Sequence, residues 1–256
     1  MNLGNPPGRE VHIWWALIGP PAEPRGIESC LAILDDGERR RALRFRPESA
    51  RLQFIVGHAL TRIALSRYVA VAPADWRFDT APDGKPFVGQ PVQGRHLRFN
   101  LSHAEGIVAC GIANGLDLGV DVENLERSGE ITDLARRFFA PEEAERLLSS
   151  PGHQLQPLFY DIWTLKEAYV KATGAGLSAP LRDFWFPGAA LAGEIEIRFR
   201  AGIEQDPGDW RFFRFRPGGR HTVAVGVRDP QRQSLLFRDR EMILTATGLE
   251  PVATAA

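Results

Sequence analysis

The stretch WTLKEAYVKATGAGL, residues 163–177, is typical of a helix, yet its charged residues lie among aromatic and aliphatic ones. At about 100° per residue, one stripe of this helix is apolar and is expected to face a core. That stripe consists of Leu158, Ile162, Leu165 and Tyr169. The other side carries Phe159, Trp163, Lys166, Glu167, Val170 and Lys171. Taken alone, these charges are explained by an exposed pair of Glu167 and Lys171 that contributes about 0.3–0.5 kcal/mol.

A second group of charges lies in GVDVENLE, residues 119–126, which is a predicted strand. Alternation along the strand places Asp121 and Glu123 on one face and the valines on the other. Two neighbouring carboxylates repel each other unless a cation lies between them. Mg²⁺ is a natural candidate, because it takes one or two carboxylates and completes its shell with water and phosphate oxygens. The alternative is a solvated strand end, neutralised in part by Arg127.

Three further polar features could bind phosphate, and each has a purely structural alternative. Lys85 lies in the turn PDGKPFV, where its ammonium could meet a phosphate as a point charge. His103 ends the strand FNLSH and could donate to a phosphate or cap the loop. The basic cluster 39–44 offers bidentate phosphate recognition or a solvated helix end. A serine hydrolase built on Ser102 and His103 is not favoured, because the chain has no G-x-S-x-G elbow.

Composition indicates an ordinary globular protein. The chain has 256 residues, of which 44% are hydrophobic and 25% charged, so it can bury one large core or two smaller ones. Its net charge of −1 gives no overall basic field for nucleic acid or an anionic membrane. Cys30 and Cys110 form no CxxC pair, which argues against a zinc site or a disulfide framework and favours a reducing compartment.

The sequence contains no targeting or membrane-spanning pattern. The start, MNLGNPPGREVHIWW, has no charged segment followed by an apolar one, so no signal peptide is predicted. No apolar run approaches the length of a membrane span. We therefore expect a cytoplasmic protein that binds neither membranes nor nucleic acid.

The order of predicted elements repeats along the chain. In each half a long helix is followed by a Pro-containing loop and strands, and VACGIA in the first half matches VAVGVR in the second. This order predicts an α+β fold of two similar halves, each an antiparallel sheet packed on a long helix. Coincidence among common strand residues is the alternative. We place the halves at residues 1–115 and 116–245, expect the tail 246–256 to be disordered, and expect ligand binding in a cleft between the halves.

Together these motifs resemble the single-chain 4′-phosphopantetheinyl transferases, of the kind that serve surfactin-like synthetases. The resemblance rests on GVDVE (119–123) and WTLKEAYVKATGAGL (163–177). Around them, in family order, lie RRALRF (40–45), GKPFV (84–88), FNLSHAEG (99–106) and RFFAPEE (137–143). The resemblance covers about residues 35–185, and it implies a pseudo-dimer of two α+β halves.

The resemblance implies an enzyme that moves the phosphopantetheine arm of coenzyme A to a serine of an apo acyl or peptidyl carrier protein, releasing 3′,5′-ADP. It implies that Asp121, Glu123 and Glu167 hold Mg²⁺, with Mn²⁺ as an alternative ion. Glu167 would be a metal ligand, the base for the serine, or both. Lys166 and Lys171 would neutralise charge that develops on the phosphates.

The resemblance also assigns residues to coenzyme A. His103 would bind the pyrophosphate or the 3′-phosphate, and Lys85 would lie near the adenine and the phosphates. Arg41, with Arg44 or Arg51, would lie near the 3′-phosphate. The basic cluster departs here from the lysine-containing pattern common in the family, so its assignment to individual residues stays open.

Carrier recognition is expected near RRFFAPEE (136–143), with Arg136 and Arg137 facing an acidic helix, and the protein is expected to be monomeric. Two other functions remain open. A Mg²⁺-dependent hydrolase of nucleotide pyrophosphates could use the same carboxylates and would need no carrier. A non-catalytic module that binds coenzyme A or a carrier would need no Glu167.

Overall fold

The computed structural model describes residues 9–19, 23–127, 129–176, 179–188 and 195–252. The helices in this part of the chain are α1 Pro24–Ala32, α2 Asp36–Ala42, α3 Glu48–Leu65, α4 Ile131–Phe138, α5 Pro141–Leu148 and α6 Gly152–Thr173. The first strands are β1 Glu10–Leu17, β2 Arg77–Thr80, β3 Pro86–Gln90, β4 Leu97–Ala104, β5 Ile107–Asn114 and β6 Leu118–Asn124. The others are β7 Phe184–Trp185, β8 Arg198–Phe199, β9 Trp210–Phe215, β10 His221–Arg228, β11 Leu236–Thr245 and β12 Gly248–Pro251. This confirms the predicted α+β class.

The chain divides into two compact units. The first contains Met1–Leu116 together with Ser234–Ala256, and the second contains Asp117–Gln233. In the first unit, a five-stranded sheet has the order β12-β11-β1-β5-β4. Its pairs are antiparallel except β1 with β11, which run parallel. The long helix α3 packs on β4 and β5 and buries Ile55, Val56, Ala59 and Leu60 against them, as its apolar spacing predicts.

The C-terminal segment corrects the predicted halves. Residues 236–245, assigned from sequence to the second half, form β11 and pair with β1 from Glu10↔Leu236 to Ala16↔Met242. The tail predicted to be disordered from residue 246 contains β12, and only residues 253–256 of it lie outside the described part. The pattern was missed because Met242 is the only fully buried residue of β11. Without alternating burial, the strand has no period-2 signal.

In the second unit, the antiparallel sheet β6-β10-β9 packs on α6. In the first unit, the opening strand β1 pairs with β5, and β5 pairs with β4. In the second unit, the opening strand β6 pairs with β10, and β10 pairs with β9. Each unit also has a separate two-stranded ribbon, β2-β3 or β7-β8. These matching orders agree with the repeat in the sequence, and the pseudo-dimer itself stays a prediction.

Helix α6 is buried on more sides than its sequence indicates. The predicted core stripe is confirmed, since Leu158, Ile162, Leu165 and Tyr169 are all buried. Phe159, Lys166 and Val170 on the other side are buried as well. The helix ends at Gly174, which adopts a left-handed conformation with φ of 72°.

The backbone of α6 lies directly on β6 at Gly119. A Cβ atom at this position would lie 2.1 Å from the carbonyl oxygen of Ala168 and 2.4 Å from the amide nitrogen of Ala172. Gly226 is the residue paired with Gly119 on β10. Two glycines side by side therefore leave room for the helix to approach the sheet closely.

We expect Gly119→Ala to destabilise the second unit by about 1–3 kcal/mol, because the added methyl group must push α6 away from β6. Gly152→Ala is the matched control, since a Cβ at that first residue of α6 would meet nothing within 4 Å. Urea unfolding of both variants measures the difference. Equal stability of the Gly119→Ala variant and the wild type would show that the close approach does not constrain the fold.

Candidate active site

Asp121 and Glu123 lie on the face of β6 that packs on α6. Glu123 is paired with Thr222 on β10, and the Thr222 hydroxyl donates to the Asp161 carboxylate of α6 at 3.1 Å. Directly opposed residues of antiparallel strands share a face, and so do residues two positions apart on one strand. The predicted common face of Asp121 and Glu123 therefore points to the helix that carries Glu167 and Lys171.

Two cations of the second unit contact these carboxylates. The Lys171 ammonium donates to Oδ1 of Asp121 at 2.7 Å. The Arg127 guanidinium lies 3.6 Å from Oε2 of Glu123. Arg127, which follows β6, is itself held against α6, because Tyr160 donates to its carbonyl oxygen at 2.9 Å. Strand, loop and helix thus each contribute a charged group.

The two glutamates near Asp121 have raised pKa values. Burial and, second to it, the charge of Asp121 raise the pKa of Glu123 to about 7, against the opposing effects of Arg127 and Lys171. Burial also raises the pKa of Glu167, with a second contribution from Asp121 and an opposing one from Lys171. Asp121 therefore lies close enough to both glutamates to affect their ionisation.

The chemistry of this donor set fits a hard divalent cation. Among the described residues, no group of three or more His, Cys, Asp or Glu side chains is arranged to hold a metal ion. Mg²⁺ is usually bound by one or two carboxylates together with water and substrate phosphates, and not by an all-protein cage. The buried Asp121 and the partly buried Glu123 and Glu167 supply oxygen ligands. A divalent cation would relieve the repulsion by Asp121 that, second to burial, raises the pKa values of the two glutamates.

Lys166 does not belong to this group, which corrects its predicted role at the phosphates. Its side chain is 0% exposed, and its ammonium lies 2.8 Å from Oε2 of Glu143. It also donates to the carbonyl oxygens of Leu181 and Phe184, both at 2.7 Å. These three contacts use all the donors of an ammonium group. Lys166 therefore ties α6 to α5, to Leu181 and to the first residue of β7.

Sequence reasoning missed Glu143 as the partner of Lys166. Besides the lysine, this carboxylate accepts hydrogen bonds from the backbone amides of Ala140 at 3.1 Å and Phe186 at 3.0 Å. The available signal was its position in APEE, because a Glu three residues after the residue that precedes a helix often accepts from the backbone there. Nothing in that pattern indicates the lysine.

Besides Lys166 and Lys171, the residues expected to bind coenzyme A lie in the first unit. Lys85 follows Gly84, whose φ is 85°, and its amide donates to Asp83 at 3.0 Å, so the predicted turn is confirmed. His103 is exposed near the end of β4. Ser102, its neighbour, is buried and points to the opposite face of the strand, which removes the basis for a serine–histidine nucleophile.

The arginines of the basic cluster have different surroundings. Arg39 donates to the carbonyl oxygens of Leu31 and Ala32 at the end of α1, at 3.1 and 2.8 Å. Arg41 is exposed and lies over the ring of Phe54, 5.4 Å from its centre. Arg44 is also exposed, and Arg51 lies 3.9 Å from Glu48. Arg39 and Arg41 are thus both exposed and both held in position, Arg39 by backbone carbonyl oxygens and Arg41 by an aromatic ring.

Comparison with known proteins agrees with these observations. One family model, described as the 4′-phosphopantetheinyl transferase superfamily, matches residues 117–226. A second, described as the N-terminal part of a 4′-phosphopantetheinyl transferase, matches residues 21–113. The 4′-phosphopantetheinyl transferase HetI of Nostoc sp. is 37% identical over 169 residues, which cover 66% of this chain and 70% of HetI.

The chain belongs to the 4′-phosphopantetheinyl transferase superfamily. The enzyme psf-1 of Bacillus pumilus is 32% identical over 204 residues, covering 80% of this chain and 83% of that protein. Sfp of Bacillus subtilis is 29% identical over 174 residues, covering 68% of this chain and 75% of Sfp. The family and the enzyme class predicted from the motifs are thereby confirmed.

The two family matches cover both sets of site residues. Asp121, Glu123 and Glu167 lie within residues 117–226, and Arg41, Lys85 and His103 lie within residues 21–113.

In the part of the chain that the structure describes, no helix has the length and apolar character needed to cross a membrane.

We expect Lys166→Met to lower the free energy of unfolding of this transferase by about 3–5 kcal/mol, because it leaves the buried Glu143 charge without its partner. The double variant Lys166→Met, Glu143→Gln should recover much of that loss. Urea unfolding of the two variants and of Glu143→Gln alone measures the coupling. Wild-type stability of Lys166→Met, together with weaker binding of coenzyme A, would instead support the predicted role of Lys166 at the phosphates.

Proposed function

We propose that this chain transfers the 4′-phosphopantetheine arm of coenzyme A to a serine hydroxyl of an apo acyl or peptidyl carrier protein, with Mg²⁺ bound. The observation that carries the proposal is the acidic group of the second unit, where Asp121 affects the ionisation of both Glu123 and Glu167 and is paired with Lys171. This group combines oxygen ligands, a basic carboxylate and a cation. A pyrophosphate displacement needs all three.

The reaction forms one bond and breaks another at the β-phosphorus of coenzyme A. The serine oxygen attacks this phosphorus, the bond to the bridging oxygen breaks, and 3′,5′-ADP leaves with that oxygen. The serine proton passes to a base. The protein contributes position and charge neutralisation to such a displacement and does little covalent chemistry.

We assign the base to Glu167. Its pKa is raised by burial and by Asp121, which brings it closer to neutral pH and makes the carboxylate a better proton acceptor than an exposed one. A general base in this position could also be a metal ligand. Asp121, Glu123 and Glu167 would hold Mg²⁺, and the bound ion would neutralise charge on the pyrophosphate.

We assign charge neutralisation by the protein to Lys171. Its ammonium is about one-third exposed, at 30%, and lies 2.7 Å from Asp121, so it stands at the edge of the acidic group. An ammonium is a compact point charge on a flexible stem and suits a phosphate oxygen whose position changes during the reaction. Lys166, which has no exposed surface, is left out of this role.

We assign recognition of coenzyme A to cations of the first unit. Arg41, with Arg44 or Arg51, would bind the 3′-phosphate, Lys85 would lie near the adenine and phosphates, and His103 would bind the pyrophosphate or 3′-phosphate. The exposure of Arg41, Arg44 and His103 supports this assignment. Phosphate contacts of this kind fix the ligand without entering the chemistry.

The experiment that tests the function is incubation with coenzyme A, Mg²⁺ and apo carrier proteins, followed by mass spectrometry of the carriers. A mass increase of one phosphopantetheine group, together with release of 3′,5′-ADP, supports the proposal. Release of 3′,5′-ADP without any carrier would indicate a pyrophosphate hydrolase. Binding of coenzyme A with no product of either kind would indicate a non-catalytic module.

Glu167→Gln should lower kcat by about 10²–10⁴-fold, because it keeps the shape of the side chain and removes its basicity. Affinity for coenzyme A should fall only slightly, since the cations of the first unit remain. Glu145→Gln, an exposed glutamate of α5, is the matched control. Single-turnover transfer and thermal melting of the same samples separate the roles: a normal rate with a slightly lower Tm would make Glu167 an ordinary partner of Lys171.

Carrier recognition is proposed at α4, where Arg136 and Arg137 are exposed and Arg137 lies over the ring of Phe138. The double variant Arg136→Glu, Arg137→Glu should raise the KM for the carrier several-fold and leave the KM for coenzyme A unchanged. Arg198→Glu is a control, because its side chain is 58% exposed against 62% for Arg136. Steady-state kinetics with each substrate varied in turn makes the measurement, and equal effects on both substrates contradict this surface.

A further inference from the structure

Helix α2 is a short element whose position must be set by other parts of the first unit. It spans only the seven residues Asp36–Ala42. Isolated helices of this length are not stable in water, because the first turn costs more conformational entropy than its hydrogen bonds return. Whatever contacts α2 therefore determines where its arginines point.

A fully buried arginine of α3 holds the start of α2. The Arg62 guanidinium donates from Nε and Nη2 to Oε2 of Glu38, at 3.0 and 2.7 Å, and from Nη2 to Asp35 at 3.1 Å. Its Nη1 donates to the carbonyl oxygens of Pro73 and Trp76, at 3.1 and 2.9 Å. All five donors of the guanidinium are thus used. Asp35 and Glu38 are also the two residues of the capping box of α2.

The second oxygen of Glu38 continues these contacts along α3. Nδ1 of His58 lies 2.8 Å from Oε1 of Glu38. The His58 ring lies on the ring of Phe54, with centres 4.1 Å apart and planes 30° apart. On Phe54, in turn, lies the guanidinium of Arg41. A continuous series of contacts therefore runs from the buried Arg62 to the exposed Arg41.

We propose that Phe54 is a positioning residue for binding of the 3′-phosphate of coenzyme A, because its ring holds the guanidinium of Arg41 in place. The Arg62, Glu38 and His58 contacts fix the ring and the helix on either side of this pair. An arginine held on an aromatic face loses less side-chain freedom when it binds a phosphate than a mobile one does. This inference rests on the proposed function, which assigns Arg41 to that phosphate.

The competing interpretation is that Phe54 only fills the core. Phe54 is buried and also packs against Phe45, with ring centres 5.3 Å apart, so this role is real in either case. The two interpretations differ in what a change of ring chemistry does. A core residue needs volume, whereas a support for a guanidinium needs an aromatic face.

The test compares Phe54→Leu, Phe54→Tyr and Arg41→Ala for binding of 3′,5′-ADP and 5′-AMP by calorimetry, with steady-state transfer measured on the same proteins. Phe54→Leu should weaken 3′,5′-ADP binding by about 2- to 5-fold, as expected from loss of a cation–π contact at an exposed arginine. It should leave 5′-AMP binding, kcat and the KM for the carrier unchanged. Phe54→Tyr should bind 3′,5′-ADP like the wild type.

A double-mutant cycle completes the test. If Phe54 acts through Arg41, the double variant should bind 3′,5′-ADP no more weakly than Arg41→Ala alone. Additive losses, equal losses for 3′,5′-ADP and 5′-AMP, or wild-type binding by Phe54→Leu would each overturn the inference. Failure of the proposed function gives a different result, in which the wild type binds 3′,5′-ADP and transfers nothing to any carrier.

Discussion

The backbone of α6 rests on β6 at a position that has no side chain. Because Gly119 leaves this space open, the carbonyl oxygen of Ala168 can lie 2.1 Å from the position that a Cβ atom would take. The next residues on the same face of the strand are Asp121 and Glu123, and the turn of α6 above them carries Glu167 and Lys171. The acidic group therefore depends on the distance between helix and strand, and that distance depends on the glycine.

The close approach has an electrostatic cost. Burial and mutual repulsion raise the pKa values of Glu123 and Glu167, so the carboxylates are held together against their own charge. Lys171 and Arg127 offset part of this cost from within the second unit. A ligand that brings further positive charge would relieve more of the repulsion among the carboxylates. The relief of this repulsion would then contribute to the free energy of binding. A strand end with only a structural role would gain nothing from this arrangement.

The two lysines of α6 show which part of the site could be predicted from sequence. Lys166 and Lys171 are five positions apart, so they point in directions about 140° apart. The predicted grouping of both lysines on one side of the helix therefore covered a wide arc and not one narrow face. The burial of Lys166 depends on Glu143, which α5 brings to it, and no periodicity within α6 contains that information. The common face of Asp121 and Glu123 was predictable, because alternation within one strand is a local property.

The same distinction between local and tertiary causes applies to the fold. Strands β1 and β5 were predictable because they are buried on both faces and form short continuous apolar runs. Helix α3 was predictable because its apolar residues recur with the period of a helix. Strand β11 was not, because its place beside β1 is set by backbone pairing across nearly the whole chain. Contacts between elements can be recognised in the sequence only where they require a residue type that is uncommon in that element. Gly119 is such a residue, so GVDVE specifies the distance to the helix as well as the carboxylates that this distance brings together.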